Sequence, residues 1–162
     1  MKIGILSDSH DCLPLLEQAV ARFYQEGVDL VLHAGDFVSP FTAIPLAKLE
    51  ARFVGVFGNN DGDRLYLTKR FEEIGAIHPG YHTFEIDEIR VVLMHEPKSI
   101  DALVSSGHYD LIVYGHTHRI DLRTEPCVVI NPGESCGYLT GKATAVILDT
   151  ATMSPRLLDL QD

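Results

Sequence analysis

Six short apolar runs in this chain end on residues that can hold a cation or move a proton. Ile3–Leu6 leads into S-D-S-H, with Asp8 and His10. Leu30–Leu32 leads into H-A-G-D, with His33 and Asp36, and Phe53–Phe57 into G-N-N-D, with Asn59, Asn60 and Asp61. Val91–Met94 is followed by His95, Leu111–Tyr114 by G-H-T-H with His116 and His118, and Val128–Ile130 by N-P-G-E-S with Asn131. Asp8, His10, Asp36, Asn59, His95, His116 and His118 together offer carboxylate, imidazole and carboxamide donors. None is a thiolate, so a zinc-finger-like structural site fits poorly. Seven donors exceed the need of one ion. Two ions sharing one carboxylate would use them all and leave positions open for water and substrate. Mixed nitrogen and oxygen ligation suits Mn²⁺, Fe²⁺, Ni²⁺ or Zn²⁺ better than Ca²⁺ or Mg²⁺.

Taken singly, each residue has an ordinary explanation. Asp8 reads as a loop or capping aspartate, His10 and His95 as hydrogen-bonded histidines, and Asn59-Asn60-Asp61-Gly62 as a turn. Six such tips in succession are harder to assign to chance, because ionisable groups seldom close apolar runs. His33, His78, His82 and His108 read as bland, with His33 the one placed to support a ligand from behind.

The tips can meet only if the runs are strands of shared sheets. Each run is short and rich in Val and Ile, as strands covered on both faces are. Between them, Asp11 is placed to cap a helix with Leu13, Leu16, Val20 and Phe23 on one face and Gly27 at its end. Ser39-Pro40 marks a second helix start, with Pro45 forcing a late start or a kink. Residues 63–74 and 98–106 are weaker helical stretches. Tyr81–Ile86 and Ile89–Met94 form a hairpin about Asp87-Glu88, and Ala143–Leu148 and Arg156–Leu160 complete a β-rich last third. The expectation is an α/β chain with more than one sheet and helices outside. Ligand sites in such sheets lie beyond the carboxyl ends of the strands.

Length and composition bound the rest. A chain of 162 residues, 46% hydrophobic and 22% charged, reads as one domain over residues 1–162. The net charge of −10 disfavours nucleic acid and anionic membranes as partners. An anionic substrate would need cations to reverse the local field. Three unpaired cysteines and the lack of a basic-then-apolar leader point to the cytoplasm, and no apolar run is long enough for a membrane span.

The ordered set D-x-H, G-D, G-N-x-D, H and G-H-x-H, from Asp8 to the N-P-G at Asn131, resembles the calcineurin-like metallophosphoesterase superfamily, in particular its small prokaryotic phosphodiesterases. The resemblance implies a four-layer α/β/β/α sandwich of two mixed sheets flanked by helices. It implies that Asp8, His10, Asp36 and His118 hold one divalent ion and that Asp36, Asn59, His95 and His116 hold the other. Mn²⁺ is the leading candidate, with Ni²⁺, Fe²⁺ and Zn²⁺ compatible. Asp36, Asn59, Asn60 and His95 are the expected catalytic set.

The implied reaction is hydrolysis of a small-molecule phosphodiester. Two close cations lower the pKa of a bridging water and stabilise charge in an in-line displacement. The nucleophile is then a bridging hydroxide, and no serine or cysteine is required. The chain departs from the phosphatase branch at Asn60, where that branch carries a histidine that aids the leaving group; asparagine cannot supply a proton. Glu96 and Pro97 also replace the usual neighbours of the fourth histidine. Arg64, Arg119 and Arg123 could contact phosphate or be plain surface charges. The competing expectation is a non-catalytic scaffold or interaction module of the same fold, as the similar retromer subunit illustrates; self-association is compatible with either. The H-T-H-R-I-D spacing lacks the Asp-His pair of metallo-β-lactamase-like enzymes. The His-x-His comes too late, in too short a chain, for an amidohydrolase barrel. No His-Asp pair of the HD type occurs.

Overall fold

The computed structural model describes all 162 residues. Its strands are β1 (Lys2–Leu6), β2 (Leu30–His33), β3 (Arg52–Val56), β4 (Ala76–His78), β5 (Tyr81–Ile86), β6 (Ile89–Met94), β7 (Leu111–Val113), β8 (Ile120–Arg123), β9 (Val128–Pro132), β10 (Thr144–Asp149) and β11 (Ser154–Asp159). They build two sheets, ordered β11-β10-β1-β2-β3-β4 and β5-β6-β7-β9-β8. In the first, β1 to β4 run parallel and β10 and β11 are antiparallel additions. In the second, β6, β7 and β9 run parallel between antiparallel edges.

Alternation along each strand divides the apolar residues between two faces. Ile3, Ile5, Leu30 and Leu32 point inward and meet Val91, Leu93, Leu111, Val113, Val128 and Ile130 of the facing sheet. Leu6 and Val31 point outward to helix α1 (Leu13–Glu26), which buries Leu16, Ala19, Val20 and Phe23 against them. On the far side, Val92, Met94 and Ile112 pack with Ile100 of helix α4 (Ile100–Ser106). The result is the expected four-layer α/β/β/α sandwich. No helix is long and apolar enough to cross a membrane.

The helix boundaries differ from expectation in instructive ways. Gly27 ends α1 in the left-handed conformation, with φ 67°, as expected. Asp11 does not cap that helix; the N-cap position is Cys12, which makes no capping bond. The Asp11 carboxylate instead accepts from the backbone N–H and hydroxyl of Ser39, at 3.2 and 2.7 Å. Ser39-Pro40 opens a 3-10 turn (Pro40–Thr42) and only then the one-turn helix α2 (Ala43–Leu46). Pro45 lies within that first turn, where its missing N–H breaks no helical bond. The stretch from 63 to 74 shortens to α3 (Arg64–Phe71), capped by Asp63, which accepts from Tyr66 N–H at 3.0 Å. Strands β4 and β8 had no counterpart in the sequence reading.

Candidate metal centre

Parallel register aligns the carboxyl ends of β1, β2 and β3, so the loops after Leu6, His33 and Val56 leave the first sheet side by side. The loops after β6 and β7 reach them across the sandwich. Backbone bonds lock the junction: Asp8 N–H donates to Gly35 O at 3.0 Å, Gly115 N–H to His95 O at 3.0 Å, and Ser135 N–H to Ser7 O at 2.9 Å. Close approach demands glycine at two exits. A Cβ on Gly58 would lie 2.1 Å from Asp36 Oδ1, and one on Gly115 would lie 1.9 Å from Ser7 Oγ.

Several ligand candidates sit where side chains rarely go. Asp8, His10, Asp36, His116 and His118 have φ of 51°, 40°, 60°, 67° and 58°. Non-glycine residues in the left-handed region are uncommon and cluster at functional sites. The hydrogen-bonded loops around them hold these five there.

The side chains converge as two groups about one carboxylate. His10 Nε2 and His95 Nε2 lie 3.6 and 3.5 Å from the same atom, Asp36 Oδ2. On one side, Asp8 Oδ1 lies 3.4 Å from His118 Nε2 and 3.9 Å from His10 Nε2. On the other, Asn59 Oδ1 lies 2.8 Å from His95 Nε2 and 2.9 Å from His116 Nδ1, with these two ring nitrogens 3.3 Å apart. All seven candidate ligands read from the sequence are therefore together. Asp8, Asp36 and His95 are almost wholly buried, whereas Asn59 and His116 are exposed. The centre has a buried acidic floor and opens to solvent on the Asn59–His116 side.

The donor set fits a cation better than it fits itself. Asp8 Oδ1 and His10 Nε2 are buried and have no hydrogen-bond partner. A buried polar atom left unpaired costs about 1–3 kcal/mol. His95 Nδ1 is 2.7 Å from Ala34 O and donates to it, so in the neutral ring Nε2 carries a lone pair aimed at the acceptor Asn59 Oδ1. Ligand atoms bound at about 2.1 Å around one ion stand roughly 3.0–3.4 Å apart. The 3.4 to 3.6 Å separations across Asp8, His118, His10, Asp36 and His95 approach that spacing. Both Asp8-His10-His118 and Asp8-Asp36-His95 have the proximity to hold an ion.

Burial pushes the Asp8 carboxyl above the usual carboxylate range. Burial acts the same way on Asp36, but hydrogen bonds from His95 and Asn60 outweigh it and hold that carboxyl well below the range. For His95, burial works against the imidazolium, yet the Asp36 carboxylate and the Ala34 carbonyl raise its pKa. A cation would take over the role of these protons.

Around these ligands lies a supporting layer. Asn60, expected in the catalytic set, turns to Asp36: its backbone N–H donates to Oδ1 at 2.8 Å and its carboxamide to Oδ2 at 2.7 Å. Asp61 accepts from Val38 N–H at 2.7 Å, Gly58 N–H at 2.7 Å and Asp36 N–H at 3.2 Å, clamping two ligand loops. Asn131 donates to Gly115 O and Thr117 Oγ1, both at 2.9 Å, and so shapes the His116–His118 loop. His33 makes no hydrogen bond to a candidate ligand's side chain. It bonds Ser9 Oγ at 3.0 Å and Gly35 N–H at 3.2 Å, and burial lowers its pKa to about 3, so it is neutral.

Glu134, which the sequence reading passed over, accepts from His118 Nδ1 at 2.7 Å. Burial raises its pKa, but hydrogen bonds from His118, Thr140 and Leu139 outweigh that and hold it at about 2. His118, Glu134 and Cys136 also lie close enough to suggest a third cation position. Both Glu134 oxygens are already engaged, however, and burial pushes the Cys136 thiol up to about 12. Arg64 is spent on Gly58 O and Asp61 O, and Arg123 on Asp121 and Asp101. Arg119 is exposed.

Residues 1–153 match the family model of the calcineurin-like phosphoesterase superfamily domain. The chain is 40% identical to phosphodiesterase MJ0936 of Methanocaldococcus jannaschii, covering 99% of this chain and 100% of that protein. It is 27% identical to phosphodiesterase YfcE of Escherichia coli over 73% of this chain and 70% of that one. Among solved structures, an archaeal phosphodiesterase superposes with a TM-score of 0.92 at 39% identity, over 98% of this chain and 99% of that one. Vacuolar protein sorting 29 of Cryptosporidium parvum shares the fold alone, with a TM-score of 0.61 at 16% identity, over 98% of this chain and 95% of that one. This chain belongs to the calcineurin-like phosphoesterase superfamily.

Proposed function

We propose that the chain is a metal-dependent phosphodiesterase with a dinuclear centre, acting on small phosphodiesters. Asp8, His10, Asp36 and His118 would hold one divalent ion and Asp36, Asn59, His95 and His116 the other. The observation that carries this reading is the pair of buried atoms Asp8 Oδ1 and His10 Nε2, which have no partner and face the same space as Asp36 and His118. Two ions bound there would polarise phosphoryl oxygens and bring a shared water toward ionisation near neutral pH.

The protein's own groups then have distinct tasks. Asp36 sets the spacing of the two half-sites through one oxygen. Asn60 donates twice to Asp36 and fixes that carboxylate. Asn59 contributes a neutral oxygen, which leaves more net positive charge for an anionic substrate than a third carboxylate would. The exposed Asn59–His116 side is the approach for the phosphodiester. With Arg64 and Arg123 committed elsewhere, neutralising substrate charge falls to the centre and to the exposed Arg119. No imidazole stands at position 60 to protonate a leaving group, which favours esters whose leaving groups depart as stable anions.

The resident metal is Mn²⁺ in this reading. The test is release of nitrophenolate from bis(p-nitrophenyl) phosphate by purified protein. Turnover with Mn²⁺, its loss with chelator, and its loss in His116→Ala are expected. No hydrolysis with Mn²⁺, Ni²⁺, Fe²⁺ or Zn²⁺ would favour a non-catalytic scaffold instead.

A further inference from the structure

Glu134 is wholly buried in a chain of net charge −10, and a carboxylate in that position is costly unless every lone pair is used. One oxygen accepts from Leu139 N–H at 2.9 Å, from Thr140 Oγ1 at 2.7 Å and from Thr140 N–H. The other accepts from His118 Nδ1 at 2.7 Å, Leu139 N–H at 3.1 Å and the Cys136 thiol at 3.3 Å. The first oxygen ties down the segment from 138 to 140. The second faces a ring whose other nitrogen, Nε2, looks at Asp8 Oδ1 across 3.4 Å.

An ionised carboxylate can only accept, so the proton between Glu134 and His118 belongs to Nδ1. In the neutral ring this leaves Nε2 bare. The tautomer with the proton at Nε2 would instead point a hydrogen at Asp8 Oδ1, an atom without a donor in this structure. We propose that Glu134 is the positioning residue of the Asp8–His10–His118 half-site: it fixes the His118 tautomer whose bare Nε2 faces the cation position, and it anchors the 138–140 segment beside that ring. That the bare nitrogen serves a cation rests on the function proposed above; the tautomer does not.

Glu134→Gln separates the two. The amide oxygen must take the position facing the Leu139 and Thr140 donors, because an NH₂ group there would oppose two backbone N–H groups and a hydroxyl. The NH₂ group then faces His118 Nδ1 and donates to it. The ring answers by carrying its proton on Nε2, where it blocks a cation. Ring-nitrogen NMR of the metal-free protein, followed upward in pH to the plateau where the His118 signals stop moving, reads the tautomer of the neutral ring directly. The wild type should show an Nδ1-bound proton at His118 and Glu134→Gln an Nε2-bound proton. Calorimetric titration with Mn²⁺ should show binding about 10–100-fold weaker in the variant.

An Nε2-bound proton at His118 in the wild type overturns the proposal, whether or not the variant folds. A Glu134→Gln protein that keeps the Nδ1 proton and binds Mn²⁺ as the wild type does overturns it equally. An Nδ1-bound proton in a wild type that takes up no Mn²⁺ upholds the tautomer assignment and fails the functional reading.

Discussion

Substituting Gly115 by alanine adds one methyl group and removes no candidate ligand, yet it should disturb both halves of the centre. The new Cβ would lie 1.9 Å from Ser7 Oγ, 2.8 Å from Asp8 Oδ2 and 3.0 Å from Ala34 O. Ser7 is fully buried, and its hydroxyl donates to Asp8 Oδ2 at 2.6 Å. Relief requires Ser7 to rotate away, which abandons that bond. A lost hydrogen bond to a charged acceptor costs about 1.5–3 kcal/mol. Residual overpacking adds about 1–3 kcal/mol. The sum, about 2.5–6 kcal/mol, corresponds to a melting-temperature drop on the order of 10 °C for a chain of this size. Asp8 also accepts from His116 N–H at 3.0 Å, so its displacement reaches both half-sites. Thermal unfolding of the metal-free protein and calorimetric Mn²⁺ titration measure the two effects. A Gly115→Ala protein that melts like the wild type and binds Mn²⁺ equally well would refute the reasoning, because the close approach would then carry no constraint.

Asp61→Ala should destabilise the protein by about 3 kcal/mol or more, since it strands the N–H groups of Asp36, Val38 and Gly58; chemical denaturation reads the loss. Stability should fall on acidification in two stages. His33 has its pKa lowered to about 3 by burial, so its contribution is complete above the unfolded imidazole pKa near 6.5 and is lost as pH falls from there toward 3. Glu134, at about 2, contributes fully above the unfolded value of 4.5 and loses its contribution between 4.5 and 2. Denaturant midpoints measured across pH in His33→Gln and wild type should converge in acid. Asn60→His should raise turnover on alkyl phosphodiesters and monoesters and flatten the dependence of rate on leaving-group pKa, measured with a series of substituted esters. A correctly folded variant with no such gain would count against Asn60 as the cause.

The convergence of the candidate ligands was legible because each stands within a few residues of the end of an apolar run that marks a strand, and parallel register brings those ends together. His116 and His118 stand two apart, both on left-handed backbone, yet His116 lies against Asn59 and His95 whereas His118 lies against Asp8 and Glu134. The supporting carboxylates were not legible. Glu134 sits in a run of small residues after β9, and Asp61 sits in a sequence that reads equally well as a turn. Nothing in either spacing signals that the side chain is buried against backbone donors. Asp11 shows the converse: its type fits a cap, but its φ of 56° places it in a loop, where it bonds Ser39 from a distant segment. Strands β4 and β8, of three and four residues, are too short to show an alternation of their own.

Anomalous X-ray diffraction from crystals grown with Mn²⁺ tests the dinuclear centre most directly. Two peaks are expected, one among Asp8, His10 and His118 and the other among Asn59, His95 and His116, with Asp36 between them. A single peak, or peaks away from Asp36, would contradict the account.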